Sequence, residues 1–243
     1  MSRIYVVGIG PGSISAMTED AKRAIENSDV IVGYKVYTDL VRELCDDKEI
    51  IDSGMRQEIE RCNLCVDLAK SGRTVSLICS GDAGVYAMAS PMLEVAQEAG
   101  FSDVVIVPGV TSALSGAAVL GAPLSHDFCT ISLSDLLTPW ETIEKRLKLA
   151  AQGDFCIALY NPASRKRADH LKRACEILMQ ELPEDRVCGY VRNIGRCGEE
   201  SKICTLRELS DEPADMFVTV FIGNSRTYAK DGRMITPRGY KLK

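Results

Sequence analysis

The apolar positions of the chain fall into short unbroken runs, separated by longer stretches with helical spacing. Residues 4–7, Ile-Tyr-Val-Val, form the first run and are closed by glycine, as expected of a buried parallel strand. Thr18 with Glu19 and Asp20 predicts a helix start, acidic groups at its positive end, running to residue 28. Residues 30–32 read as a strand and 37–44 as a helix. Residues 56–70 read as a charged helix with Ile59, Cys62, Val66 and Ala69 on one apolar stripe. A strand at 75–79, a helix at 85–98 stopped by Gly100, and a strand at 104–107 follow. A helix of small residues then runs from Thr111 to Leu120.

This alternation breaks between residues 121 and 139, where turn formers, His126 and Asp127 intervene. The domain border is expected there, giving units 1–122 and 123–243. The second half resumes with a helix to about residue 151, a strand at 155–160 and a helix at 166–182. Strands at 187–191, 203–205 and 216–222 complete it, with Gly195 and Gly198 marking a loop. Strands alternating with helices predict an α/β fold, each domain a mostly parallel or mixed sheet flanked by helices.

Composition narrows the class. Of 243 residues, 46% are hydrophobic and 26% charged, values of an ordinary globular protein rather than a disordered one. No apolar run approaches the roughly 18 residues of a membrane span, and the first residues lack the regions of a signal peptide. A cytoplasmic protein without membrane attachment is the expectation. The net charge of −5 argues against nonspecific nucleic-acid binding, which needs a broad basic surface. The ten cysteines sit largely within apolar elements, where a reduced thiol packs as a small hydrophobe. Cys62 and Cys65 make a C-x-x-C pair, but no second pair or histidine at ligand spacing accompanies it, so no metal site is expected.

Three segments carry the candidate chemistry, and each directly follows a predicted strand. In Gly8-Ile9-Gly10-Pro11-Gly12, glycine allows positive φ and close backbone approach to a ligand. The dinucleotide pattern G-x-G-x-x-G is not met, because Ser13 stands where the third glycine belongs, and no Walker lysine follows. In Ser80-Gly81-Asp82-Ala83-Gly84-Val85-Tyr86, an acid lies at the carboxyl end of a parallel strand, where open α/β sheets bind ligands. The same residue also suits a helix cap. Pro108-Gly109-Val110-Thr111-Ser112 repeats the strand, turn and helix-start order, with hydroxyls that serve a ligand or an N-cap.

Together these segments resemble the tetrapyrrole methylase family along nearly the whole chain. Ser80-Gly81-Asp82-Ala83 departs from the Gly-Gly-Asp-Pro form of uroporphyrinogen methyltransferases. With Leu159-Tyr160-Asn161-Pro162, Arg192-Asn193-Ile194-Gly195-Arg196, Gly223-Asn224-Ser225 and Thr236-Pro237-Arg238-Gly239-Tyr240, the likeness is to carbon-17 methyltransferases of precorrin-3B or cobalt-factor III. The resemblance implies two α/β domains with an active-site cleft between them, usually in a homodimer, and S-adenosylmethionine as methyl donor. It implies methylation of carbon 17 of a corrinoid precursor with ring contraction, in cobalamin biosynthesis. By family pattern the donor site comprises Gly8, Gly10, Pro11, Gly12, Gly81, Asp82, Val85, Tyr86, Thr111 and Ser112, with Tyr160 and Asn161 from the second domain.

For proton handling during ring contraction the candidates are His126, Asp127, Ser132, Ser134 and Asp135, which also suit ordinary turns and caps. Arginine forks bind carboxylates bidentately, so Arg56, Arg192, Arg196 and Arg238 are the candidate clamp for a carboxylated macrocycle. Arg165, Lys166 and Arg167 read as the exposed start of a helix. Alternatives are a corrinoid methylase acting at another ring carbon and a tetrapyrrole-binding module without catalysis. A protein- or RNA-modifying methylase and a nicotinamide dehydrogenase fit less well.

Overall fold

A computed structural model describes residues 2–164 and 166–241. The chain divides into two compact units, Met1–Ser112 and Ala113–Lys243. Arg165 lies outside the described residues.

The first unit contains β1 (Ile4–Gly8), α1 (Glu19–Glu26), β2 (Val30–Tyr34), α2 (Lys35–Thr38), β3 (Glu49–Ser53), α3 (Glu58–Lys70), β4 (Val75–Cys79), α4 (Ala89–Glu98) and β5 (Val104–Val107). Its five strands are all parallel in the order β3-β2-β4-β1-β5. The connection leaving β1 crosses over β4 to reach β2, and the one leaving β4 crosses over β1 to reach β5. Right-handed crossovers in opposite directions place their helices on opposite faces. Ile4, Val6, Leu77 and Cys79 accordingly pack with α3 and α4, through Cys62, Cys65, Val66 and Met92. Val7, Ile31 and Ile78 point the other way, onto Ala21, Ala24 and Ile25 of α1. Neighbouring strands β1 and β4 thus send their chains to opposite sides, and the gap beyond their carboxyl ends is a topological switch point, the ligand position of open α/β sheets.

α1 starts as expected: the Thr18 hydroxyl accepts from Ala21 N–H at 3.1 Å and donates to Pro108 O at 3.1 Å, tying the helix to the end of β5. Elsewhere the boundaries differ from the sequence reading. α4 and α7 begin later than expected, because residues 80–88, 161–164 and 166–169 lie in turns and loops. α2 is one turn long and continues as a 3-10 turn at Asp39–Leu44. Ile59 is 53% exposed, whereas Arg61 on the same helix is buried. β3 was not expected.

All of α5 (Ser112–Leu120) but its first residue lies in the second unit, whereas the sequence reading placed the domain border after residue 122. The helix packs Ala113, Ala117 and Leu120 against Ala158, Val191 and Phe221 of the second unit. Gly116 makes this approach possible, since a Cβ there would lie 2.9 Å from Ile194 Cδ1 and Phe221 Cζ. Then follow β6 (Gly121–Ala122), β7 (Phe128–Ser132), α6 (Trp140–Gln152), β8 (Cys156–Tyr160), α7 (His170–Leu178), β9 (Val187–Arg192), β10 (Glu200–Thr205), α8 (Leu206–Leu209), β11 (Val218–Ile222), β12 (Tyr228–Lys230) and β13 (Arg233–Ile235). The main sheet is mixed, in the order β10-β9-β11-β8-β7, with only β7 and β8 parallel. Ile157, Leu159, Val218 and Val220 face α6 and α7, and Ala158 and Phe221 face α5. A small sheet, β12-β13-β6, accompanies it. β6, β7, β12 and β13 were not foreseen.

Candidate active site

At the switch point the chain is reduced to backbone. Gly10 and Gly81 exchange both their hydrogen bonds, Gly10 N–H to Gly81 O at 3.0 Å and Gly81 N–H to Gly10 O at 2.8 Å. Both have positive φ, 73° and 69°. A Cβ on Gly8 would stand 2.7 Å from Gly109 N and 2.8 Å from Gly81 O, and one on Gly109 would collide with Gly8 and Gly81. The three glycine turns expected from the sequence therefore converge on one spot. Only a residue without a side chain fits there, whatever else the turns bind.

Asp82 joins two of these turns. Its carboxylate accepts Gly84 N–H at 2.8 Å on one oxygen and Gly109 N–H at 3.0 Å on the other. It does not cap α4, which begins only at Ala89 and has no side-chain cap. Val85 N–H closes the turn onto Asp82 O at 3.4 Å. Tyr86 follows at φ 52°, a conformation unfavourable for an aromatic residue, and stands 53% exposed. Pro11 is buried, Gly12 half-buried, and Thr111 and Ser112 half-buried where the chain leaves the turn for α5.

In the second unit, the register brings the ends of four strands level. Ser132 pairs with Tyr160, Leu159 with Val220, and Val218 with Arg192. The Tyr160 hydroxyl accepts Ala113 N–H at 2.9 Å, at the first turn of α5. Asn161, at φ 52°, donates to the Ser132 hydroxyl at 3.0 Å, which also accepts Ser134 N–H at 3.2 Å. Beyond them, Arg167 donates to the hydroxyls of Ser134 and Ser164, 2.5 and 3.1 Å away, and lies 3.8 Å from Asp135. It is not the exposed helix start read from the sequence. His170 is buried, with Nδ1 2.9 Å from Leu133 O and Nε2 3.6 Å from Asp135 Oδ2. Sequence reasoning placed neither Arg167 nor His170 in a site. Their separation from Ser132 along the chain gave no signal, since only the parallel pairing of β7 with β8 unites them.

That strand also divides the proposed proton-handling set. His126 and Asp127 precede β7, while Ser132, Ser134 and Asp135 lie at or beyond its other end, roughly 13 Å away at the strand rise per residue. His126 and Asp127 are exposed, 3.9 Å apart. They do not join the cluster.

Residues 3–210 match the profile of the Tetrapyrrole (Corrin/Porphyrin) Methylases. The chain belongs to this family. A probable cobalt-factor III C(17)-methyltransferase of Salmonella typhimurium (strain LT2) is 48% identical over 98% of this chain and 100% of its own. A precorrin-3B C(17)-methyltransferase of a Sinorhizobium species is 40% identical over 98% of this chain and 96% of its own. The crystal structure of the methyltransferase CobJ superposes with a TM-score of 0.89 at 36% identity, covering 98% of this chain and all of the other.

Within this tetrapyrrole methylase, the motifs near the carboxyl terminus hold structure. Asn224 Oδ1 accepts from Arg226 N–H and the Thr227 hydroxyl, Thr227 meets Thr236 at 2.7 Å, and Thr236 donates to Pro123 O at 2.6 Å. Ser225 is held by Asp154 through its N–H and hydroxyl. The arginines expected to form one clamp are dispersed. Arg192 pairs with Asp215 and donates to Pro213 O at 3.0 Å. Arg196 is half-buried, its guanidinium 5.6 Å from the Phe217 ring centre. Arg238 donates to Ser125 O at 3.2 Å, beside His126 and so at the opposite end of β7. Arg56, exposed at φ 65°, belongs to the loop after β3 in the first unit.

Proposed function

We propose that this methylase transfers the methyl group of S-adenosylmethionine to carbon 17 of cobalt-factor III, with the ring contraction that accompanies it in cobalamin biosynthesis. The observation that carries the reading is the 48% identity, end to end in both chains, with the Salmonella protein of that name. The Sinorhizobium relative at 40% identity supports precorrin-3B, the metal-free counterpart, as the other candidate substrate.

The geometry suits such a donor. A ligand with an amino acid part and a nucleoside part needs many backbone groups at close range. The junction of Gly8, Gly81 and Gly109, with Gly10, Pro11, Gly12, Val85 and Tyr86 around it, offers them at the switch point. Asp82 keeps two of the turns together. Thr111 and Ser112 add hydroxyls, and the second unit presents a hydroxyl and an amide of its own in Tyr160 and Asn161. S-adenosylmethionine brings an activated methyl on a sulfonium, so orientation is the main task left to the chain. Alignment of this kind is worth about 7–11 kcal/mol in well-oriented pairs. In this reading Arg196 and Arg56 meet carboxylates of the macrocycle, and Arg192, already paired with Asp215, shapes the loop at residues 213–217. The protein works as a homodimer in the cytoplasm.

The test is incubation of the purified protein with carbon-13 methyl-labelled donor and each macrocycle in turn. One added methyl by mass, with its resonance assigned to carbon 17, is the expected result. Methylation at another ring carbon would mark a different corrinoid methylase, and binding without transfer a carrier module.

A further inference from the structure

Asp135 stands between two groups at the end of β7. One is Arg167, from the loop after β8; the other is the buried His170, the first residue of α7. A carbonyl oxygen only accepts, so His170 Nδ1 must carry the hydrogen directed at Leu133 O, 2.9 Å away. Nε2 is thereby left facing Asp135 Oδ2 at 3.6 Å. A neutral ring in that tautomer sets a lone pair against a carboxylate, and a single proton placed between the two relieves the opposition. The ring cannot turn away, because it packs on Trp140 with ring centres 4.7 Å apart, and the Arg173 guanidinium covers Trp140 at 4.0 Å. Asp135 is the outward member: its side chain is 36% exposed while that of His170 is 4% exposed. Beside it project Leu136 and Leu137, 59% and 98% exposed, an apolar pair suited to the face of a flat ring.

We propose that Asp135 takes a proton from the macrocycle and that His170 positions Asp135 and stores that proton on Nε2. The inference rests on the function proposed above. A methyl that arrives as a formal cation adds one positive charge to the macrocycle, and loss of one proton restores the original charge. The proton passes to Asp135 Oδ2 and then to Nε2 of His170, leaving Asp135 again a carboxylate beside Arg167. Among the described residues, the charged groups placed near the imidazole include Asp135, Arg167 through its 3.8 Å approach to that carboxylate and, across Trp140, Arg173.

Two substitutions of His170 separate this role from packing. His170→Asn keeps an N–H near the place of Nδ1 for Leu133 O and has nothing at Nε2. His170→Gln reaches the place of Nε2 and leaves Leu133 O unmet. We expect His170→Asn to melt like the wild type, to bind S-adenosylhomocysteine within about 2-fold, and to turn over about 10²-fold more slowly, the scale of general base catalysis. His170→Gln, whose amide reaches Asp135 but takes up no proton, should melt at a lower temperature and keep only the part of kcat that the positioning of Asp135 supplies. Asp135→Asn, on an exposed loop, should lose kcat by a similar factor with cofactor affinity intact, and it tests the proposal if changes at 170 prevent folding. Wild-type turnover in either Asn variant overturns the proposal, as does a loss of cofactor affinity equal to the loss of turnover. A wild-type protein that methylates neither macrocycle would overturn the proposed function, and this role with it.

Discussion

The carboxylate of Asp82 receives N–H groups from two different turns, so its removal frees Gly84 and Gly109 together. Asp82→Ala is expected to lower stability by about 1–3 kcal/mol, the range for buried groups that lose a partner. It should also weaken S-adenosylhomocysteine binding at least about 10-fold, since a 1.4 kcal/mol loss already does so. Asp82→Asn keeps one accepting oxygen and should fall between the two. Denaturant titration with calorimetry checks both, and an affinity untouched by a large stability loss would separate the turns from the ligand. The sequence showed an acid in a ligand-binding position and left open a helix cap. Neither reading foresaw the bond to Gly109, because a contact spanning 27 residues is invisible until the strands are paired. The arginines teach the same lesson. Residue type marked Arg192 as a carboxylate binder, and it is one, but the carboxylate is its own neighbour Asp215.

Strands covered on both faces were legible as apolar runs, and β1, β4, β8 and β11 stand within a residue or two of their expected places. The missed strands β3 and β7 are the edges of their sheets, only partly covered, with polar residues in both. A half-covered edge has no continuous run to read. Helix starts failed where a tight turn precedes the helix: Tyr86 at positive φ delays α4, and the Ser164–Arg167 bridge delays α7. α8, which the sequence reading did not foresee, carries a capped start. Thr205 accepts Glu208 N–H at 3.2 Å while the Glu208 carboxylate accepts Thr205 N–H at 2.8 Å, a reciprocal cap. Thr205→Ala should cost about 1 kcal/mol in denaturant unfolding. The bonds from Thr205 also hold the Glu208 carboxyl below the usual glutamate range. A depressed folded-state value means the cap contributes above the unfolded value and fades as pH falls through the folded one. The difference between Thr205→Ala and the wild type should therefore shrink in acid.

At the scale of the whole chain, the cysteines give a direct readout of folding. Burial pushes the Cys79 and Cys175 thiols up to about 12 and those of Cys62, Cys129 and Cys204 to about 11, so little thiolate is present near neutrality. Cys197, in the loop after β9, is exposed. Thiol titration of the native protein should label Cys197 first, and denaturation should release all ten. Rapid labelling of Cys62 and Cys65 in the native state would contradict the packing of α3. The family itself was legible at this scale because its motifs are short, separated and fixed by backbone shape. The division into units was less so, since the small residues of α5 look alike whether they pack forward or back along the chain.

The meeting of Gly8, Gly81 and Gly109 has a consequence for how such enzymes diversify. Gly8 and Gly109 are blocked by one another and by the Gly81 carbonyl, and Gly81 is held at φ 69°, so random libraries built at the three positions should return almost only the parent. Innovation in what is methylated is pushed outward, to segments such as the exposed Leu136–Leu137 tip, where variants are tolerated and selection has material to sort.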